Sequence, residues 1–158
     1  MAGRANSQTI GRLLDFFTTL IPVRRRRAPR RRVAAVRTPT AEQQARWKTQ
    51  RAELRRAIPP LLAKWQPVLG VEAKAWGIRR MRTRWGSCNV VAKRIWLNLE
   101  LANRPPECLE YVVVHELVHL LERGHNARFY GFMDQALPGW KALRKVLNRP
   151  LADPDHEL

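Results

Sequence analysis

The chain has 158 residues, 45% of them hydrophobic, and a formal net charge of +17; it can bury one core of ordinary size and is too apolar for a charged disordered polymer. The charge is uneven, because residues 1–40 carry ten arginines against one acid while residues 41–158 carry twenty basic and twelve acidic groups. Two cysteines, Cys88 and Cys108, without C-x-x-C spacing, exclude a disulfide scaffold and suggest buried, reduced thiols in a cytoplasmic protein.

Ile10, Leu13, Leu14, Phe16, Phe17, Leu20 and Ile21 form an apolar helical stripe broken by Arg12 and Asp15. It is too short and too charged to span a bilayer, and its positive run follows the apolar stretch, the reverse of a secretory signal. Arg24–Arg27 and Arg30–Arg32 supply that run. Such arginines bind DNA or RNA without sequence preference by releasing counterions, lie less readily on an anionic membrane surface, or form a solvated linker. No base-reading motif accompanies them.

Thr40 and Gln43 have capping-box spacing for a helix starting near Ala41. Leu54, Ile58, Leu61, Leu62, Trp65 and Leu69 continue its apolar face, and Pro59-Pro60 should kink or interrupt it. A strand is expected around Trp76–Thr83, then a loop over Arg84–Asn89. Ile95, Leu97, Leu99 and Leu101 alternate with Trp96, Asn98 and Glu100 as a half-buried strand. The two strands should pair as a small antiparallel sheet, whose exposed edge could hold an extended peptide.

The next segment carries the chemistry. Pro106, Glu107 and Glu110 suit the start of a helix running from Pro105 to Gly124, and its apolar residues surround it on most sides. Within it, His115-Glu116-Leu-Val-His119 puts two imidazoles one turn apart on one face, so both can reach one ion. His125, directly after Gly124, is the best third ligand if the chain folds back there. Three imidazoles with a fourth position left for water specify catalytic Zn²⁺, one ion, and Glu116 is placed to take a proton from that water. Phe129, Phe132, Met133 and Ala136 mark a further helix ending at Pro138-Gly139, with Met133 in the core. Trp140, Leu143, Val146 and Leu147 mark a last one.

In order, Arg84-Trp-Gly-Ser-Cys88, Ile95-Trp-Leu-Asn98, the segment Tyr111–His119, His125, Phe129 and Pro138 resemble the YgjP-like metallopeptidase family, from about Trp76 to Leu147. The resemblance implies an α+β, zincin-like fold, with a small antiparallel sheet packed on an active-site helix and further helices. It implies zinc at His115, His119 and His125 and Glu116 as catalytic acid/base. The ligand spacing is similar to that of WLM and SprT-type proteases, which digest proteins crosslinked to DNA, and to that of metzincins, whose glycine position is here Glu122. On this reading residues 1–39 are a basic extension, partly disordered with a short amphipathic helix; 40–149 are the metallopeptidase domain; 150–158 are a tail. Residues 1–39 lack the strand-rich beginning usual in the family, and the link from Cys88 to Ile95 lacks its hairpin glycine.

The expected activity is zinc-dependent hydrolysis of a protein or peptide substrate. A DNA-associated protease of the WLM/SprT type, a nucleotide pyrophosphohydrolase and a zinc-stabilised binding module are the alternatives. Arg84, Trp85, Asn98 and Tyr130 are candidates to bind substrate or support the site. Tyr130, Arg128 and Tyr111 are candidates to stabilise an oxyanion, and Glu122 or Asp134 to orient a ligand imidazole.

Overall fold

The computed structural model describes residues 38–149. The apolar stripe of residues 10–21, the arginine run Arg24–Arg32 and the tail from residue 150 lie outside them. In chain order come α1 (Ala41–Leu69), β1 (Ala75–Arg79), β2 (Gly86–Asn89), β3 (Arg94–Asn98), a 3₁₀ helix (Leu99–Asn103), α2 (Pro106–Val118), α3 (Ala127–Ala136) and α4 (Trp140–Leu147). None of these helices is long and apolar enough to cross a membrane.

α1 begins at the capping box, with the Thr40 side chain accepting from Gln43 N–H and the Gln43 side chain accepting from Thr40 N–H. It runs unbroken through Pro59, Pro60 and Pro67 and ends at Gly70, whose φ of 65° is the left-handed cap. The expected interruption does not occur. Leu54, Ile58, Leu62 and Trp65 are buried along one face, and that tertiary packing offsets the lost proline hydrogen bonds. Glu110 on α2 accepts from Trp65 Nε1 at 2.8 Å and from Lys64 Nζ at 2.7 Å, tying the two helices together.

The sheet order is β1-β3-β2 and the sheet is mixed, a correction to the antiparallel pairing expected of the two outer segments. β1 runs parallel to β3, with Ile78 opposite Leu97, and β2 runs antiparallel to β3, with Cys88 opposite Ile95. The reason lies in residues 84–89, expected as a loop. They hold β2, which takes the hairpin position beside β3 and leaves β1 to join the other edge in the same direction as β3. The hairpin turns without glycine because Lys93 takes φ 48°, at a cost of roughly 1–2 kcal/mol. Asn89 Oδ1 accepts from Ala92 N–H at 2.9 Å across that turn.

α2 is the centre of the molecule, buried from Cys108 to Val118 except for the partly exposed Glu110. It stops at Val118 rather than at Gly124. His119 caps it, and tight bonds from Leu120 N to Leu117 O and from Leu121 N to Val118 O close the end. Gly124 is not left-handed; among the described glycines only Gly70 and Gly139 are. α3 restarts at Asn126, whose Oδ1 accepts from Phe129 N–H at 3.0 Å.

Candidate active site

His115 and His119 sit one turn apart at the end of α2, and the 119–126 segment brings His125 back over them. The three possible ligand atoms lie within 4.8 Å of one another, and His125 Nε2 is 2.9 Å from His115 Nε2. The imidazole centroids are 4.8, 4.9 and 4.9 Å apart, close to an equilateral triangle. Beneath them the fully buried Phe129 ring lies 4.8, 4.6 and 4.7 Å from His115, His119 and His125. The Asn126 cap starts α3 one residue after His125, which is why Phe129 arrives under all three rings.

The protonation state of the three rings favours ligation. Burial holds the His115 pKa well below its usual value, reinforced by His119, His125 and Arg144. Burial also brings His119 down to about 4 and lowers His125. The rings are therefore neutral at pH 7. His119 Nδ1 donates to the Glu122 carbonyl at 3.1 Å, which assigns the proton to Nδ1 and leaves the Nε2 lone pair free. That Nε2 is buried with no hydrogen-bond partner. A buried nitrogen acceptor without a donor is costly, and three neutral imidazoles converging around it form the nitrogen donor set that a zinc-type divalent ion takes.

Glu116 is fully buried and neither carboxyl oxygen has a partner. Burial raises its pKa well above normal, with Arg84 opposing the shift. Gly86 of β2 lies against this carboxyl group: a Cβ there would fall 2.8 Å from Glu116 Cγ and Cδ. Cys88 is on the same side, its thiol pushed up to about 12 by burial and by Glu116. It is thus a neutral thiol rather than a thiolate.

The supporting candidates are distributed unevenly. Asn98 Oδ1 accepts from Met81 N–H and Glu100 N–H, each at 3.2 Å, while its Nδ2 donates to Met81 O at 2.9 Å and Arg84 O at 2.6 Å. It fastens the strand loop that carries Arg84 and Gly86, not the ligand loop. Trp85 is buried, with the Arg104 guanidinium 5.1 Å from its ring. Tyr130 stacks 6.3 Å from His125, and Trp140 lies between Tyr130 at 5.5 Å and Tyr111 at 6.2 Å. Arg128 is exposed over Phe132.

Of the two residues expected to orient a ligand ring, Glu122 does so and Asp134 does not. Glu122 serves His119 through its backbone carbonyl, and Asp134 accepts from Trp140 Nε1 at 2.7 Å. Met133 is in the core. The contact of Gly86 with Glu116 is not legible in the sequence.

The profile described as YgjP-like, metallopeptidase domain, matches residues 21–150. No curated protein matches the chain. Among solved structures, the metallopeptidase zymogen of Pyrococcus abyssi abylysin is similar at 24% identity and a TM-score of 0.48, over 53% of this chain and 85% of that one.

Proposed function

The chain belongs to the YgjP-like metallopeptidase family and is a metal-dependent peptidase, and from that premise we propose that His115, His119 and His125 hold one Zn²⁺ and that Glu116 is the general base for peptide-bond hydrolysis. The observation that carries this reading is the trio of neutral, converging imidazoles with an unpartnered His119 Nε2 beside an unpartnered buried carboxyl group. Bound zinc supplies a Lewis acid for the scissile carbonyl and lowers the pKa of a water toward about 7. Glu116 accepts that water's proton at a carboxylate oxygen and passes it to the leaving amine. Burial disfavours the charged carboxylate in the metal-free site, and a divalent cation held by the three imidazoles would favour it, the form that a base requires. Gly86 gives the carboxyl group room, and Phe129 holds the imidazoles from below.

The catalytic unit is residues 40–149. Among the described residues β2 has no strand on its outer side, and its first residue touches Glu116. A peptide paired along that edge would bring its backbone past the base.

The test is metal content together with turnover of peptides, proteins and nucleotides by wild type and Glu116→Gln. The reading requires a Glu116→Gln protein that keeps zinc and loses peptide cleavage by about 10²–10⁴-fold. Equal activity would remove Glu116 from the mechanism, and cleavage of nucleotides alone would replace peptides as the substrate.

A further inference from the structure

The sheet has an outer face, opposite the one on which Ile95 and Leu97 are buried in the core, and one row of residues crosses it from edge to edge. Trp96 of β3 pairs with Gly77 of β1 on one side and with Ser87 of β2 on the other, and residues paired directly across a sheet share a face. The Trp96 ring lies down over β1 because Gly77 leaves it room: a Cβ there would fall 2.7 Å from Trp96 Cε3 and 3.1 Å from Cη2. Arg79 follows Gly77 on the same face. Its guanidinium sits over the Trp96 ring, 5.0 Å from the centroid, and its Nη2 donates to Ser87 Oγ at 3.4 Å. An arginine rooted in one edge strand therefore delivers its charge to the other.

β2 is also the strand whose first residue touches Glu116 and which, among the described residues, has no strand on its outer side. In a peptide paired along that edge, the residue opposite Gly86 passes Glu116. The next one, opposite Ser87, turns its side chain to the outer face, where it meets the Ser87 hydroxyl and the Arg79 guanidinium. The ring beneath it orders the guanidinium, and the planar fork has N–H donors beyond the one spent on Ser87. A carboxylate fits such a fork and an ammonium is repelled by it. The surrounding charge has the same sign: residues 71–98 hold seven basic side chains and one acidic one, and the exposed Arg94 stands on the outer face of β3 beside Trp96.

We propose that Arg79 is a specificity-determining residue that selects an aspartate or glutamate in the substrate at the position paired with Ser87, adjacent in the peptide to the residue that passes Glu116. This rests on the peptidase reading above and narrows its substrates to peptides with an acidic residue close to the bond that is cut. The contact forms in ground-state binding at a solvent-accessible edge, so it acts on KM rather than kcat and weakens with salt.

The experiment uses full-length, zinc-loaded protein and peptides cleaved at one mapped bond, identical except for Glu, Gln or Lys at each position in turn around that bond. At one position wild type should cleave the Glu peptide about 10-fold better than the Gln peptide, through KM, with the Lys peptide worst. Arg79→Gln should level Glu and Gln at that position alone. Arg79→Glu should reverse the order, with Lys preferred and kcat on the Gln peptide retained. Ser87→Asp, which places a carboxylate beside Arg79 on the edge itself, should also erase the acidic preference, and it carries the test if the Arg79 variants fold poorly. A merely structural arginine would lower cleavage of all three peptides alike, and that result overturns the inference. So does an acidic preference that survives Arg79→Gln and Ser87→Asp, or a wild type that cleaves the three peptides equally; each leaves the peptidase reading standing. Zinc-loaded wild type that cleaves no peptide overturns both.

Discussion

Gly86 and Glu116 are in van der Waals contact across the β2–α2 junction, so close that a methyl group on Gly86 would lie 2.8 Å from the Glu116 Cγ and Cδ atoms. The R-W-G-S-C segment and the H-E-x-x-H helix, almost thirty residues apart in the chain, therefore form one site. The glycine is required by close approach rather than by a left-handed backbone, since its φ is not in the positive range.

Gly86→Ala should destabilise the protein by about 1–3 kcal/mol through overpacking and displace the Glu116 carboxyl group. Zinc content should persist, since no ligand is touched, while kcat falls by about 10²-fold from misplacement of the base. Urea unfolding, metal analysis and turnover check the three parts. Full activity in the alanine variant would show that the carboxyl group has slack that this contact does not suggest.

Phe129→Ala should cost about 3–5 kcal/mol and weaken zinc binding, because the ring under all three imidazoles is fully buried. Phe129→Leu, which refills part of the space, should recover much of the stability. Isothermal titration of zinc into the metal-free variants separates the two effects. Native affinity in Phe129→Ala would mean that the α2 backbone alone sets the ligand geometry.

Asn98→Asp should destabilise by on the order of 2–4 kcal/mol even though the side chain keeps its shape. A carboxylate still accepts from Met81 and Glu100 but cannot donate to the Met81 and Arg84 carbonyls, leaving two acceptors without donors. The loss should appear in the urea midpoint and as faster hydrogen exchange over residues 81–86. An unchanged midpoint would remove Asn98 as the fastening of that loop.

Metal-free protein should lose stability as pH falls from about 6.5 to about 4. His119 has its folded pKa lowered to about 4 by burial, and His115 and His125 are also lowered. In this window the unfolded chain binds protons that the native state does not, so unfolding stability rises with pH and is lost on acidification; His119 alone accounts for on the order of 3 kcal/mol. Glu116, with its folded pKa raised, acts in the opposite sense, contributing stability at low pH that is lost as pH rises above the usual carboxyl range. The measurement therefore belongs in a Glu116→Gln background, by urea unfolding with a chelator present. A flat profile between pH 6.5 and 4 would contradict neutral buried imidazoles.

Part of this molecule was legible before any fold was known, wherever one helical turn relates the residues. The Thr40 capping box, the pairing of His115 with His119 and the core face of α3 depend on three- and four-residue spacing, which backbone geometry fixes locally. The mixed sheet was not legible, because strand direction depends on which edge each strand joins, and a four-residue β2 has too little alternation to announce itself. The end of α2 was missed for a similar reason: His119 Nδ1 and tight backbone turns close the helix, so no glycine signal was needed.

By itself the sequence determined which histidines cluster, that Glu116 stands between two of them and which family they resemble, because those are matters of local spacing and ordered motifs. Only the tertiary structure decided what surrounds them. Phe129 beneath the imidazoles, Gly86 against Glu116 and Trp140 stacked between Tyr111 and Tyr130 come from three different elements. Their meeting is set by how α3, β2 and α4 pack on α2, a many-body result of burial and shape that no spacing along the chain encodes.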